Sequence, residues 1–407
     1  MSATSIIIPN RNHASFLGAA IEGALAQSRP PLEIIVIDDA STDDSAAVAE
    51  AYRTAHPGVV RLLRNDQNVG CEGTLNRGIE VAQGDYLVLG SADDRLLNHT
   101  CALGVEQLER HSGAAFCCGD TCHFSSDPET GVVEPAGRST APVFVSPETF
   151  VERFGGGLIA GGAAVARASQ VRAAGGLRPE LRWHADWFLY MTMAFRSGFC
   201  YVPTPFVALR LDAGSYGSAG SANSVWQDAV LTALLETVDR ECPDLHGAFV
   251  RAAVFDFFGP VLRELVARIP SLQRESIIRL LAPPAADVVA ARKHTGARAV
   301  IRQALVRHAP ILLSAPGPVA VYGAGGHTEM LLEIWEELRL PRPDLLVVSP
   351  PAVYRARFGL RVFAIDDPDL RHLGLVVLSS RSYEPAMARV MRQARPNTPF
   401  LSIWSRW

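Results

Sequence analysis

The sequence predicts an α/β fold in which a Rossmann-like mixed sheet, parallel over its first strands, is covered by helices on both faces, followed by a helical region and a small C-terminal Rossmann-like α/β domain. Three observations carry this. From Thr4 to Gly90 short β-branched runs alternate with segments of helical spacing, the pattern of successive βαβ units with right-handed crossovers. A fresh β/α alternation begins at Gly317 after a long helical stretch. With 407 residues, the chain is two to three times the roughly 150 of a typical domain, so more than one core is expected.

The elements follow in order. "TSIIIP" (Thr4 to Pro9) is a β-branched strand ended by proline, and "FLGAAIEGALAQ" (Phe16 to Gln27) turns to helical spacing. "LEIIVIDDAS" (Leu32 to Ser41) is a continuous apolar strand, as a sheet buried on both faces requires. "DDSAAVAEAYRTA" (Asp43 to Ala55) is a helix opened by capping residues, and "VVRLLRN" (Val59 to Asn65) a third strand. "NVGCEGTLNRGIEVAQG" reads as loop plus helix, and "DYLVLG" as the next strand. Further on, "HADWFLYMTMAFRSG" is helical and "FCYVPTPFVALRL" strand-like around two prolines. "DAGSYGSAGSANS" (Asp212 to Ser224) is Gly- and Ser-rich, a linker or loop. Helices then run from Val225 to about Leu313, with breaks near Pro270 and Pro283.

Hydrophobic residues make up 48% and charged residues 20%, the usage of an ordinary globular protein without low-complexity tracts. Lys+Arg and Asp+Glu number 38 and 42, so no basic excess exists to hold nucleic acid or anionic lipid. The N-terminus lacks the basic region of a signal peptide, and no apolar run reaches the roughly 18 residues of a membrane helix. The expectation is a cytoplasmic protein without an integral membrane segment, its seven cysteines free. Assembly into a homo-oligomer is left open.

Asp38, Asp39, Asp93 and Asp94 all follow apolar strands and so line the carboxyl edge of the sheet, where ligands of such folds sit. Either pair alone also reads as turn formers or helix caps. Two like-charged pairs gathered at equivalent strand ends repel unless a cation or hydrogen-bond donors compensate, and a divalent metal does so simply.

"SIIIPNRN", "AQSRPPLEIIVIDDASTDDS", "NVGCEGTLNRGIEVAQGDYLVLGSADD" and "HADWFLYMTMAF" occur in this order, and together they resemble the family 2 inverting glycosyltransferases of the GT-A fold over roughly the first 220 residues. The resemblance implies that Asp39 contacts the base of a nucleoside diphosphate sugar, with Pro9 and Arg11 lining the same pocket and Gly70 and Asn76 in a segment near the donor. It places Ser91, Asp93 and the adjacent Asp94 in the segment matching the family's Asp-x-Asp motif, with Ser91 where an acid is usual. Asp93 would hold Mn2+ or Mg2+ against the two phosphates, hard oxygen ligands suiting either ion. Asp186 falls on the catalytic-base position and Ala185 replaces the acid before it; a plain helix cap is the structural alternative for Asp186. In "ALRLDAGSYGS", Arg210 fits a residue that neutralises the diphosphate, while Asp212 stands where His is common and is a further candidate metal ligand. Gly70 and Asn76 read equally as a structural helix start.

Two other motifs have simpler readings. "CCGDTCH" (Cys117 to His123) lacks the second knuckle of a zinc site and reads as a core strand. "VYGAGGHT" follows a strand and opens a helix like a dinucleotide fingerprint, but Thr328 takes its third Gly position and Ser349 stands where the ribose-binding acid belongs. That argues against a nicotinamide oxidoreductase.

The expected organisation is a GT-A domain over 1–224, a helical region over 225–315 and a Rossmann-like domain over 316–407. The expected activity is metal-dependent, inverting transfer of a sugar from a nucleoside diphosphate donor to a saccharide or other hydroxyl acceptor. The rival is a catalytically weak sugar-nucleotide-binding or assembly protein, suggested by Ser91, Ala185 and Asp212.

Overall fold

The computed structural model describes residues 2–124, 132–134, 139, 141–154, 161–210, 216–217, 220, 223–252, 254–258, 260–281, 305, 312–314, 317–322, 326–348, 356–357, 360–364, 373, 375–378, 398 and 400–402. Asp212, Pro283, Ser349 and the glycines at 323 and 325 lie outside them. The chain divides into two compact units, Met1–Arg292 and Lys293–Trp407.

In the first unit, β1 (Thr4–Asn10), β2 (Glu33–Asp38), β3 (Val60–Arg64) and β4 (Tyr86–Leu89) form a parallel group in the order β3-β2-β1-β4. Every residue of β2 is buried, which is why its sequence is continuously apolar rather than alternating. The helices α1 (Ala14–Leu25), α2 (Ser45–Ala55) and α3 (Gly70–Val81) are the crossovers. The sheet continues through β9 (Ala164–Arg167), β6 (Phe116–Phe124), β10 (Phe199–Arg210) and the two-residue β5 (Arg95–Leu96). Here the sheet becomes mixed, as the fold class predicts. β9 runs antiparallel to both β4 and β6, so the sheet is mixed, with β6 and β10 parallel to each other beyond the inversion. Short β7 (Val132–Glu134) and β8 (Val143–Val145) add antiparallel pairings to β6 and β10.

"CCGDTCH" lies inside β6, with Cys117, Cys118 and Cys122 buried, and all seven cysteines are free. The cysteine run is therefore core strand, as its spacing suggested.

Helix α4 (Thr100–Arg110) packs on β6 and β10, and two short helices, α5 (Pro147–Thr149) and α6 (Ala168–Ala173), precede α7 (Ala185–Ser197). From Ala185 through Phe195 every position of α7 is buried except the partly exposed Asp186. A helix apolar on all sides must be covered on all sides. The sheet covers one flank. The helices Ser224–Glu241, His246–Arg251, Pro260–Arg268 and Glu275–Leu280 supply the other, since Leu231, Leu234, Phe249, Leu262 and Ile277 share one hydrophobic cluster with Trp187, Tyr190 and Phe195. This part of the helical region therefore belongs to the core of the first unit. Pro270 breaks it between helices, as the sequence indicated.

The second unit is a six-stranded sheet in the order β13-β14-β12-β11-β15-β16: Ala356–Arg357, Leu360–Ala364, Leu345–Val348, Val319–Tyr322, Leu375–Leu378 and Phe400–Ser402. All pairings but β13 with β14 are parallel, and the helix Gly326–Glu337 follows β11. This is the Rossmann-like arrangement the alternating pattern predicts. Among the described residues no helix is long and apolar enough to cross a membrane.

Candidate active site at the carboxyl edge of the sheet

The four parallel strands end side by side, and the loops leaving them are stitched together by side chains. Asp38 is buried, accepts from Asn10 Nδ2 at 3.2 Å, and pairs with Arg64 at 3.4 Å. The loop after β2 turns sharply at Ala40, whose φ of 53° is one few residues with a Cβ adopt. Ser41 Oγ receives the Asn10 amide and the Asn12 N–H, and Asn12 Oδ1 accepts from Thr42 N–H at 2.8 Å.

Asp39 is buried, and its carboxylate accepts from Asn65 Nδ2 at 2.7 Å and from the backbone N–H groups of Val69 at 2.9 Å and Gly70 at 3.0 Å. Gly70 opens α3 at φ 81°, a conformation that favours glycine. Arg11 donates to the Asp39 carbonyl at 3.1 Å, and Pro9 lies one residue before the end of β1. Thus Pro9, Arg11, Asp39 and Gly70 are brought together.

Asn76 goes elsewhere. Its Nδ2 donates to the Leu177 carbonyl at 2.8 Å and its Oδ1 accepts the Leu177 N–H at 2.9 Å. The amide is thereby committed to tying α3 to the segment that leads into α7.

After β4, Ser91 Oγ donates to Asp93 Oδ1. Asp94 Oδ1 accepts the Arg210 N–H at 2.8 Å, and Arg210 Nε donates to the Asp93 carbonyl at 3.3 Å. The Arg210 guanidinium lies 4.1 Å from the centre of the Phe16 ring and 4.7 Å from that of Phe124, so aromatic faces position the cation beside the two acids. Burial, and then the neighbouring Asp93 charge, pushes the Asp94 carboxyl up to about 7, against the opposing pull of Arg210 and His123. Two acids at this edge therefore carry more negative charge than their protein surroundings neutralise. Their hard oxygens fit Mn2+ or Mg2+. Among the described residues no group of three or more His, Cys, Asp or Glu side chains is placed to hold a metal ion, so substrate oxygens or water would complete the shell.

Asp186 is the second residue of α7, and its Oδ1 accepts the Trp187 N–H at 2.7 Å. The N-cap is His184, not Asp186. His184 is held neutral, its pKa pushed down to about 4 by burial among Trp187, Phe258 and Trp183.

Glu72, in the first turn of α3, escaped the sequence analysis. It is only 6% exposed, and its carboxyl is raised by burial and by the Asp186 charge, while Tyr216 Oη donates to it at 3.4 Å. The signal available was its place next to Cys71 in a glycine-opened helix start, which reads as an ordinary first-turn acid. Cys71, the residue before Glu72, is solvent-exposed. Glu72 links the two halves of the site: it lies two residues after Gly70, whose N–H donates to Asp39, and it accepts from Tyr216, whose ring meets Trp183 three residues before Asp186.

Residues 5–168 match the model of glycosyl transferase family 2. Those residues carry the sequence pattern of a family 2 glycosyltransferase domain. This match spans every candidate from Pro9 to Asp94; Asp186 and Arg210 lie beyond it. The chain is similar to the uncharacterized glycosyltransferase YibD of Escherichia coli, 37% identical over 135 residues, which are 33% of this chain and 38% of that protein. It is also similar to the glycosyltransferase GlyG of Streptococcus pneumoniae, 33% identical over 90 residues, 22% of this chain and 30% of that one. The matches span about a third of the length of these curated relatives. The crystal structure of residues 1–349 of S. aureus TarS with UDP-GlcNAc shares the fold at a TM-score of 0.52 and 13% identity, covering 76% of this chain and 87% of that one. The glycosyltransferase fold of the first unit is of the GT-A type, a central sheet flanked by helices.

Proposed function

We propose that the chain is an inverting glycosyltransferase that moves a sugar from a nucleoside diphosphate sugar to an acceptor hydroxyl. The observation that carries this is the gathering of Asp39, Asp93 and Asp94 at one carboxyl edge of the sheet within residues that match family 2, with the start of α7 joined to that edge through Glu72, Tyr216 and Trp183. The donor class is the one TarS binds in the structure named above.

Asp39 reads the nucleotide base. A carboxylate offers about four lone-pair directions and three are taken by Asn65, Val69 and Gly70, which leaves one for a base N–H. Asp93 and Asp94 would hold a divalent cation, which supplies Lewis-acid stabilisation of the leaving diphosphate. Arg210, fixed between two rings, adds positive charge beside the leaving diphosphate. Asp186 accepts the proton of the acceptor hydroxyl as its oxygen bonds to the anomeric carbon. The anomeric C–O bond breaks on the opposite face, and its electron pair leaves with the diphosphate, so the configuration inverts. Glu72, its carboxyl raised by burial and by the Asp186 charge, lies close to the proposed base.

Calorimetric titration with UDP and GDP, in Mn2+ and in EDTA, tests the donor site. Binding should weaken at least tenfold in EDTA, and Asp93→Ala should abolish the difference. Equal affinity in both buffers with Asp93→Ala unchanged would remove the metal from the account.

A further inference from the structure

Beside Asp186 the first unit presents an aromatic surface that the chemistry above does not use. The indole N–H of Trp183 donates to Gln227 Oε1 at 3.0 Å, which fixes this ring against the start of the helix Ser224–Glu241. Tyr216 meets Trp183 edge to face at 5.9 Å. Gly220 lies so close to the Trp183 ring that an added Cβ would come within 2.3 Å of it. One residue before Gln227 stands Trp226, with the Arg182 guanidinium 5.8 Å from its ring centre. Arg182 itself has φ 44°, a strained conformation for a residue with a Cβ, and it turns the chain immediately before Trp183.

Tyr216 is 47% exposed, Trp226 52% and Val225 73%. Exposed large apolar groups are ordinary when scattered; Tyr216 joins Trp183 by ring contact and Trp226 adjoins it through the neighbouring Gln227, and aromatic groups placed together in this way indicate a ligand surface. The polar groups beside this one include the Glu72 carboxyl, the Gln227 amide and the Arg182 guanidinium. Tyr216 donates to Glu72, and Glu72 feels the charges of Asp186 and Arg182. An aromatic face carries negative quadrupole density and attracts polarised C–H bonds, while carboxylates accept from hydroxyls. A pyranose ring offers both partners: an apolar face of axial C–H bonds and a rim of hydroxyl donors.

We propose that Trp183, Tyr216 and Trp226 form the seat for a pyranose ring of the acceptor, so that the acceptor is a saccharide. The proposal rests on the reading of Asp186 as the base, because this seat is what delivers a sugar hydroxyl to it.

Saturation-transfer NMR on the full chain tests it. The probes are the methyl β-pyranosides of glucose, galactose and N-acetylglucosamine, with sorbitol as an acyclic polyol that has hydroxyls but no ring face. UDP affinity is measured on the same samples. At least one pyranoside should receive saturation on its ring protons, sorbitol should not, and Trp226→Ala should weaken the signal at least fivefold while leaving UDP affinity unchanged. Trp226→Phe, which restores a ring, should recover most of it. Trp226 is half-exposed, so the alanine variant keeps the core, and an unchanged melting temperature verifies this. No signal from any pyranoside, equal signals from sorbitol, or an undiminished signal in Trp226→Ala would each overturn the proposal. So would binding to phosphatidylcholine vesicles that depends on Trp226 in the absence of a pyranoside signal, which would assign the rings to a lipid surface. Loss of UDP binding in the wild-type chain with the pyranoside signal intact would instead overturn the donor reading alone.

Discussion

Asp94 shows how one buried carboxyl couples stability to pH. Its folded pKa of about 7 lies above the ordinary value of 3.8, so the folded state favours the protonated form. The stability this gives is fully present below about pH 4 and is lost as pH rises through 7. His184 has the opposite sign: its pKa is depressed to about 4, so its contribution is present above 6.5 and is lost as pH falls through 4. Comparing wild type with Asp94→Asn cancels the histidine. Metal-free wild type should lose stability relative to the variant between pH 4 and 8, by up to about 4 kcal/mol at 1.4 kcal/mol per tenfold change in proton affinity. Urea denaturation across that range measures it, and parallel profiles would show that Asp94 titrates normally.

The helices position the chemistry, and α3 does so from both ends. Its start is pinned by Asp39 to the loop after β2, and its middle is tied by Asn76 to Leu177, eight residues before α7 begins. Asn76→Ala removes both bonds and leaves the Leu177 backbone groups to find other partners. It should cost about 1–3 kcal/mol in thermal stability. Turnover should fall more than UDP affinity, because the segment that orients Asp186 loosens while the Asp39 loop is untouched. Equal losses in both would place Asn76 at the donor instead.

The same helix shows what was legible in the sequence. Strand ends could be read because Asp38, Asp39, Asp93 and Asp94 interrupt continuous apolar runs, and the sheet brings them to one edge. Long-range side-chain pairings could not be read. Nothing in "NVGCEGTLNRG" tells that Asn76 faces a residue 101 positions away, or that Glu72 is buried against Tyr216. The reversed strand β9 was also hidden, because "AVAR" is too short to show its direction. Asp186 was marked by the apolar run after it, and that run is apolar on every side because helices from beyond residue 224 cover it.

At the scale of the molecule, every described residue in the proposed mechanism precedes Arg292, where the first compact unit ends. The second unit, with its own parallel sheet, should therefore be dispensable for the chemical step. A truncation ending at Arg292 keeps the helices that cover α7 and should hydrolyse a nucleoside diphosphate sugar within about threefold of the full chain. Loss of hydrolysis in a folded truncation would show that the second unit takes part. Asp186 is assigned as the base, and Asp186→Asn separates that role from a structural one. The amide keeps the size of the side chain and can still accept the Trp187 N–H, but it cannot take a proton from the acceptor at neutral pH. Sugar transfer per folded molecule and donor affinity should be measured on this one variant. The account predicts a loss of about 10² to 10⁴ in transfer rate at nearly unchanged affinity. Near-normal transfer, with only a lowered melting temperature, would contradict it.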